Sequence, residues 1–343
     1  MRQFSKPLVF ALSLALSTAV WAQTPTSKDS ITAPKNLSFD LTKKRALLEG
    51  FPNNLARYKA PGFLEVAAEI IDVDGENKIV NARKSVSIKL NLQPKSGQGE
   101  TVHIESKSDV ARLTTADRTL VLTGDLSGFY RIGNGPQTML SGNKATFNYN
   151  GDNLNALIES DANSQVELLL PAETGKADAL GPVTLRADSL RVDQKNGAAY
   201  LIGNARAFST GGANKIDVTA TSFTVNRAAD GTIGLLTTEG KTVTKLDVPP
   251  DARATGVGKP THLEVTADKA IINRATSTGV FDGNVTGYYR LQAGTAPAQN
   301  FNFNGERATI TYDAEAAKTG DGLSVLVTGK PVDVEVPSFN LGF

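Results

Sequence analysis

The chain has 343 residues, with 36 Lys and Arg against 35 Asp and Glu, and no cysteine. A near-neutral balance argues against a nucleic-acid partner, which needs a basic surface. The missing thiols exclude disulfides, a lipoprotein anchor and thiolate metal sites, so a chain of this length must be held by its own core.

The first 22 residues form a leader. Arg2 and Lys6 supply a basic start, Leu8 to Ala19 is apolar, and Val20-Trp21-Ala22 fits the positions a signal peptidase reads. The stretch is too short and wrongly flanked to be a spanning helix. Export to the periplasm with cleavage after Ala22 is the expectation, and it leaves 34 basic against 35 acidic groups.

Residues 23–62 read as a flexible tether followed by an N-terminal cap, and the segment from Asp40 to Gly50 suits a short helix, capped by Asp40 and stopped by Gly50. From Phe63 to Pro337 the chain alternates Val, Ile, Thr, Leu and aromatic residues with polar ones. Asp74-Gly75, Gly97-Gln-Gly99, Gly133-Asn-Gly135, Asn196-Gly197, Asp230-Gly231 and Gly320-Asp-Gly322 break the pattern as turns. Residues 338–343 form a C-terminal tail.

Within this β region one unit recurs three times. Leu122-Thr-Gly-Asp-Leu126, Leu201-Ile-Gly-Asn-Ala205 and Phe281-Asp-Gly-Asn-Val285 lie 79 and 80 residues apart by their glycines. Each repeat divides again, and half-units begin near Ala67, Ser108, Ala145, Ala187, Ala220, Ala267 and Arg307. Two strands per half-unit predict roughly fourteen strands.

Little in the chain points to catalysis. His103 and His262 occupy matching strands but stand too far apart in sequence to suggest one metal site. Gly256-Val-Gly-Lys-Pro-Thr261 lacks the spacing of a phosphate loop. The calcium-loop likeness of Asp72 to Asn77 fails on a misplaced glycine and a missing bidentate Glu. No HExxH or nucleophile elbow occurs, and the carboxylates alternate with apolar residues as on a solvated sheet face.

Alternation does define an inner face. Around the three repeated glycines it runs through Leu122, Leu126 and Tyr130, through Leu201 and Ala205, and through Phe281, Val285 and Tyr289. The partner strands add Phe147 and Tyr149, Phe223 and Val225, and Ile310 and Tyr312. Glycine and alanine recur between the bulky residues, so the lining is either ordinary core or a shallow groove.

Ala187-Asp-Ser-Leu-Arg-Val-Asp193, Asn196-Gly197 and Leu201-Ile-Gly-Asn-Ala-Arg206 together resemble the OstA-like family of lipopolysaccharide-transport proteins. Ala267-Asp-Lys-Ala-Ile-Ile-Asn273 with Asp282-Gly-Asn-Val285 repeats the resemblance, which spans residues 64–337. It implies an all-β, repeat-built, semi-open β-jelly roll that shields acyl chains of lipopolysaccharide or a similar amphipathic lipid. Under it the lipid-binding residues are Leu122, Leu126, Phe147, Tyr149, Leu201, Phe223, Val225, Phe281, Val285, Tyr289, Ile310 and Tyr312. It further implies no catalysis or cofactor, end-to-end self-association, and LptC-like and LptD-like partners in the inner and outer membranes. Two other readings stay open. One is a cell-envelope scaffold or glycan-binding module with a dry core, for which Tyr130, Tyr288 and Tyr289 are the aromatic candidates. The other is an outer-membrane barrel, suggested by the alternating Phe339 to Phe343 and opposed by the absence of a repeated aromatic girdle.

Overall fold

The computed structural model describes residues 29–335 apart from 94–99, 136, 150–153, 162–163, 171–181, 194, 210, 212–214, 229–232, 248–258, 293–298, 313–322 and 330. The expected leader, cleavage point, tether up to residue 28 and C-terminal tail, and the turns expected at Gly97–Gly99, Asp230-Gly231 and Gly320–Gly322, lie outside the described residues. So does most of the Gly256 loop.

All described regular structure is β, and every strand pairing is antiparallel. The strands are β1 (Ser30–Thr32), β2 (Asn36–Asp40), β3 (Arg45–Glu49), β4 (Ala56–Ala60), β5 (Leu64–Ala68), β6 (Ile70–Asp74), β7 (Ile79–Leu92), β8 (Val102–Thr114), β9 (Thr119–Ile132), β10 (Thr138–Tyr149) and β11 (Leu154–Glu159). They continue as β12 (Val166–Leu170), β13 (Val183–Ala187), β14 (Ser189–Asp193), β15 (Ala198–Ser209), β16 (Lys215–Arg227), β17 (Ile233–Glu239), β18 (Thr242–Asp247), β19 (Lys259–Ala267), β20 (Lys269–Asn273), β21 (Thr278–Gln292), β22 (Gln299–Tyr312), β23 (Leu323–Thr328) and β24 (Asp333–Glu335). Contacts divide the chain into two units, one of residues 1–134 with 141–156 and one of residues 135–140 with 157–343.

One arrangement recurs within both units. A long strand is flanked on one side by two short strands that meet end to end: β7 by β5 and β6, β15 by β13 and β14, β21 by β19 and β20. The junction is a crease. Gly124, Gly203 and Gly283 each have φ +79°, and the residues after them, Asp125, Asn204 and Asn284, have φ 31°, 45° and 48°. Two successive left-handed residues kink the strand, which is why Gly-Asx marks each repeat. A β-carbon on Gly203 would overlap the carboxylate of Asp188, the residue between β13 and β14. That carboxylate accepts a hydrogen bond from Asn204 Nδ2 at 3.0 Å, as Asp268 does from Asn284 Nδ2 at 2.8 Å. The crease backbone is closed by Asp188 N donating to Gly203 O at 3.0 Å and Asp268 N to Gly283 O at 2.9 Å.

The crease residue also resets the alternation of the short strands. Leu185 and Ala187 are buried before it, and Leu190 and Val192 after it, a three-residue step in place of two. The apolar face therefore stays inward on both sides of the bend, and the two halves pack on each other. In one such cluster Leu263 and Val265 lie before the crease of β19 and β20, Ala270 lies after it, and Phe281, Val285, Phe303 and Ile310 come from β21 and β22. This is the local closure of a β-jelly roll.

The half-units expected from sequence begin close to these crease residues. Their strands outnumber the expected fourteen in part because creases split β5 from β6, β13 from β14 and β19 from β20, whereas β8 and β9 run unbroken past Asp109 and Gly124. A further crease has no glycine: Lys84 and Ser85 take φ 65° and 54° in β7, and Glu69 N donates to Lys84 O at 3.1 Å. The helix expected over Asp40–Gly50 is instead the hairpin β2–β3, with Asp40 paired to Arg45. Ala46 and Leu48 bury at a period of two against β6, and the tertiary pairing overrides the helical composition of the segment. Asp40 still caps, but a turn, accepting from Lys43 N at 3.0 Å. The Asp72–Asn77 segment is a hairpin turn, as expected, in which Asp74 Oδ1 accepts from Asn77 N at 2.9 Å.

Candidate functional site

All twelve of the residues expected to bind lipid are described, and burial divides them into ten that are buried and two that are half-buried. In the first unit Leu122, Leu126, Phe147 and Tyr149 are buried. Phe147 and Tyr149 close over Leu90, Leu92, Leu113 and Leu120, with a gap of about 10 Å³ left between them. A pocket for a small molecule runs to roughly 300 Å³ or more. The Tyr149 hydroxyl, buried with its ring, donates to Gln93 O at 2.8 Å and is thereby satisfied.

In the second unit Leu201, Phe223, Val225, Phe281, Val285 and Ile310 are buried as well. Leu201 stands opposite Phe223 and Ala199 opposite Val225, so these four side chains share one face. The glycines expected to leave a groove do not leave one here. A β-carbon on Gly287 would lie 2.5 Å from the ring of Phe303, directly opposite on β22, and one on Gly279 2.9 Å from the ring of Phe281. Each glycine makes room for an aromatic ring of its own chain, and at these positions the inner face is packed core.

The inner face changes character toward β23. Tyr289 and Tyr312 are half-buried. Tyr289 stacks on Phe301 at 4.8 Å, 3° from parallel, and its hydroxyl pKa is raised by burial. Opposite Tyr312, Ile310 and Ala308 stand Leu323, Val325 and Val327, which pack against the core yet remain partly accessible. Leu326, pointing the other way, is 61% exposed. At the other end of the chain Leu37 and Phe39 of β2, paired with the buried Leu48 and Ala46, are also exposed on the inner side.

Sequence reading missed several inward residues. Tyr58 is fully buried in a segment assigned to the cap, and its hydroxyl donates to Asp29 at 2.9 Å. Burial raises the Asp29 pKa against the opposing effect of that hydrogen bond. The alternation of Ala56, Tyr58 and Ala60 was the available signal. Phe301 and Phe303 were missed too, because the inward parity of β22 resets between Arg307 and Gly305, so the buried even positions Ala308 and Ile310 do not lead to them.

The outer face carries cross-strand charge pairs: Lys89–Glu105 at 3.1 Å, Arg206–Asp217 at 2.7 Å, Lys245–Glu264 at 3.2 Å and Arg307–Asp282 at 2.5 Å. Exposed pairs of this kind contribute about 0–1 kcal/mol each. His103 and His262 sit at matching outer positions, as expected from the repeat. His103 is bracketed by Asn91 Oδ1 at 2.6 Å and Glu105 Oε1 at 2.9 Å, and His262 by Asp247 Oδ1 at 2.6 Å. The His103 contact, the largest cause, and the Lys89 ion pair hold the Glu105 pKa below the usual range. No cluster of three metal-ligating side chains occurs among the described residues. No helix among them is long and apolar enough to cross a membrane.

No family model and no curated protein matches the chain. Among solved structures it is similar to LptH of Pseudomonas aeruginosa, described as the LptA-homologous periplasmic component of the conserved lipopolysaccharide transport device. The identity is 17%, the match covers 46% of this chain and 96% of that one, and the TM-score is 0.33. A score of that size carries no inference about role, which rests here on the chain's own residues.

Proposed function

We propose that this protein is a non-catalytic periplasmic carrier that binds the acyl part of lipopolysaccharide or a related envelope lipid and passes it toward the outer membrane. The observation that carries the reading is the accessible stretch of inner face, where Tyr289, Tyr312, Leu323, Val325 and Val327 continue the buried core yet stay partly open. The OstA-like motifs at Ala187–Arg206 and Ala267–Val285 support the choice of cargo.

Physical chemistry supplies the reason for such a surface. Each methylene withdrawn from water is worth about 0.8 kcal/mol, so a twelve-carbon chain crossing an aqueous compartment unshielded costs on the order of 10 kcal/mol. Half-buried tyrosine and aliphatic side chains offer contact without a deep well, and a lipid held this way can leave again. Exposed strand edges suit docking by strand addition, and β2, with Leu37 and Phe39 exposed, is the candidate contact for LptC-like or LptD-like components or a second copy of this chain.

In-cell photo-crosslinking tests the assignment. A photoreactive residue at Val325 should capture lipopolysaccharide, and one at the outward, apolar Leu326 should not. One at Phe39 should capture protein. Equal lipid capture at Val325 and Leu326, or none at Val325 in exported, folded protein, would leave the inner face as core and favour a scaffold role.

A further inference from the structure

The outer face of the second unit holds an open depression of about 650 Å³ over β19, β21, β22 and β24. Its polar side chains are Glu264, Thr266, Thr286, Asn302, Asn304 and Asp333, and its one outward ring is Tyr288. We propose that it is a binding site for a neutral saccharide. The inference is independent of the lipid reading, because it concerns the opposite face of the sheet.

The repeat itself shows what is different here. The fifth residue after each crease glycine is aromatic and outward: Phe129, Phe208 and Tyr288. Phe208 is taken up by its own neighbours, with the guanidinium groups of Arg186 and Arg206 at 5.0 Å and 4.6 Å from the ring centre. Phe129 packs on His103 at 5.8 Å, beside the Lys89–Glu105 pair. Tyr288 packs on His262 at 5.3 Å much as Phe129 does on His103, and what sets it apart is its hydroxyl and the depression beside it.

The chemistry of the lining selects the ligand. A pyranose ring has an apolar C–H face, which fits an aromatic side chain with a polar tip, and a rim of hydroxyls that both donate and accept. Carboxylates accept from hydroxyls, and amides and threonines do both. No Lys or Arg lines the depression, whereas Glu264 and Asp333 do, and although Glu264 is paired with Lys245 at 3.2 Å, the Asp333 carboxylate disfavours phosphorylated or acidic sugars. A peptide adding as a strand finds no free backbone in β21 or β22, since β21 is paired with β19 and β22, and β22 with β21 and β24. Asn304 Oδ1 accepts from Asp333 N at 3.2 Å, which fixes β24 as one wall of the site.

The test is a titration of the exported protein with chitotetraose, maltotetraose and an acidic alginate tetramer, followed by saturation-transfer NMR. At least one neutral tetramer should bind, and Tyr288→Ala should lower its affinity at least ~10-fold, with Tyr288→Phe close to the parent. Thr286→Arg, which fills the depression from an exposed position without touching the core, should lower it similarly. Retained thermal unfolding in that variant separates a blocked site from an unfolded one. The proposal is overturned if neither neutral tetramer binds, if binding survives both Tyr288→Ala and Thr286→Arg, or if the acidic tetramer binds as well as the neutral ones.

Discussion

The inner face of the first unit and that of the last strands of the second are written with the same alternation and differ in access to solvent. Around Phe147 and Tyr149 the facing side chains leave about 10 Å³ between them. Around Tyr312 and Val325 the equivalent side chains keep part of their surface in water. The difference comes from coverage. The sealed region lies beneath strands of twelve to fourteen residues, β7 to β10, whereas β23 and β24 have six and three. An apolar stripe is therefore a core or a binding surface according to how much sheet closes over it.

Truncating one aromatic in each region sharpens that contrast most. Phe147→Ala removes a ring that is 2% exposed and should cost about 3–5 kcal/mol of unfolding free energy. Tyr312→Ala, half in solvent already, should cost about 1 kcal/mol and instead reduce lipid capture at Val325. Urea unfolding read separately for the two variants checks this. Equal losses would mean that the last strands are as closed as the first unit.

The creases decide whether the halves close at all, and they offer a second, smaller contrast. Gly203→Ala puts a β-carbon at φ +79° against the Asp188 carboxylate, and about 2–4 kcal/mol of destabilisation is expected. Lys84→Gly relieves a lysine held at φ 65° and should stabilise by about 1 kcal/mol, less the added freedom of the unfolded chain. The two shifts in urea midpoint should therefore have opposite signs. A destabilised Lys84→Gly would show that the lysine side chain, and not its backbone, matters at that crease.

These residues also show what the sequence could convey. Gly-Asx creases and period-two burial were legible because both are local: one needs positive φ, the other a pleated strand. The crease at Lys84-Ser85 was not, since neither residue advertises a left-handed backbone. The β2–β3 hairpin was mistaken for a helix because only Ala46 and Leu48 mark its alternation, among residues of good helix propensity. Gly287 pointed to a groove, yet the ring of Phe303 fills the space beside it. The depression beside Tyr288 gathers side chains from β19, β21, β22 and β24, a juxtaposition made by strand pairing and not by any residue spacing.

The seal of the first unit depends in turn on its edge, where β3 lies on β6 with Arg45 opposite Asp74. Asp74 accepts from Asn77 N and Nδ2, both at 2.9 Å, and from Arg45 Nη2 at 2.6 Å. These bonds, those from Asn77 first, hold its carboxyl far below the usual range. A depressed folded pKa means that the unfolded state binds the proton more readily, so the contribution is complete above the ordinary carboxylate pKa of about 4 and falls away below it. Acidification from neutrality through that window should loosen β3 before the core of β7 to β9, and the protection of the Ala46 and Leu48 amides, taken relative to intrinsic exchange at each pH, should fall first. Asp74→Asn should flatten that acid response while leaving Phe147 and Tyr149 protected at neutral pH. If protection at Ala46 holds in acid, the edge is kept by the burial of Ala46 and Leu48 alone, and the Arg45–Asp74 pair contributes nothing to the seal.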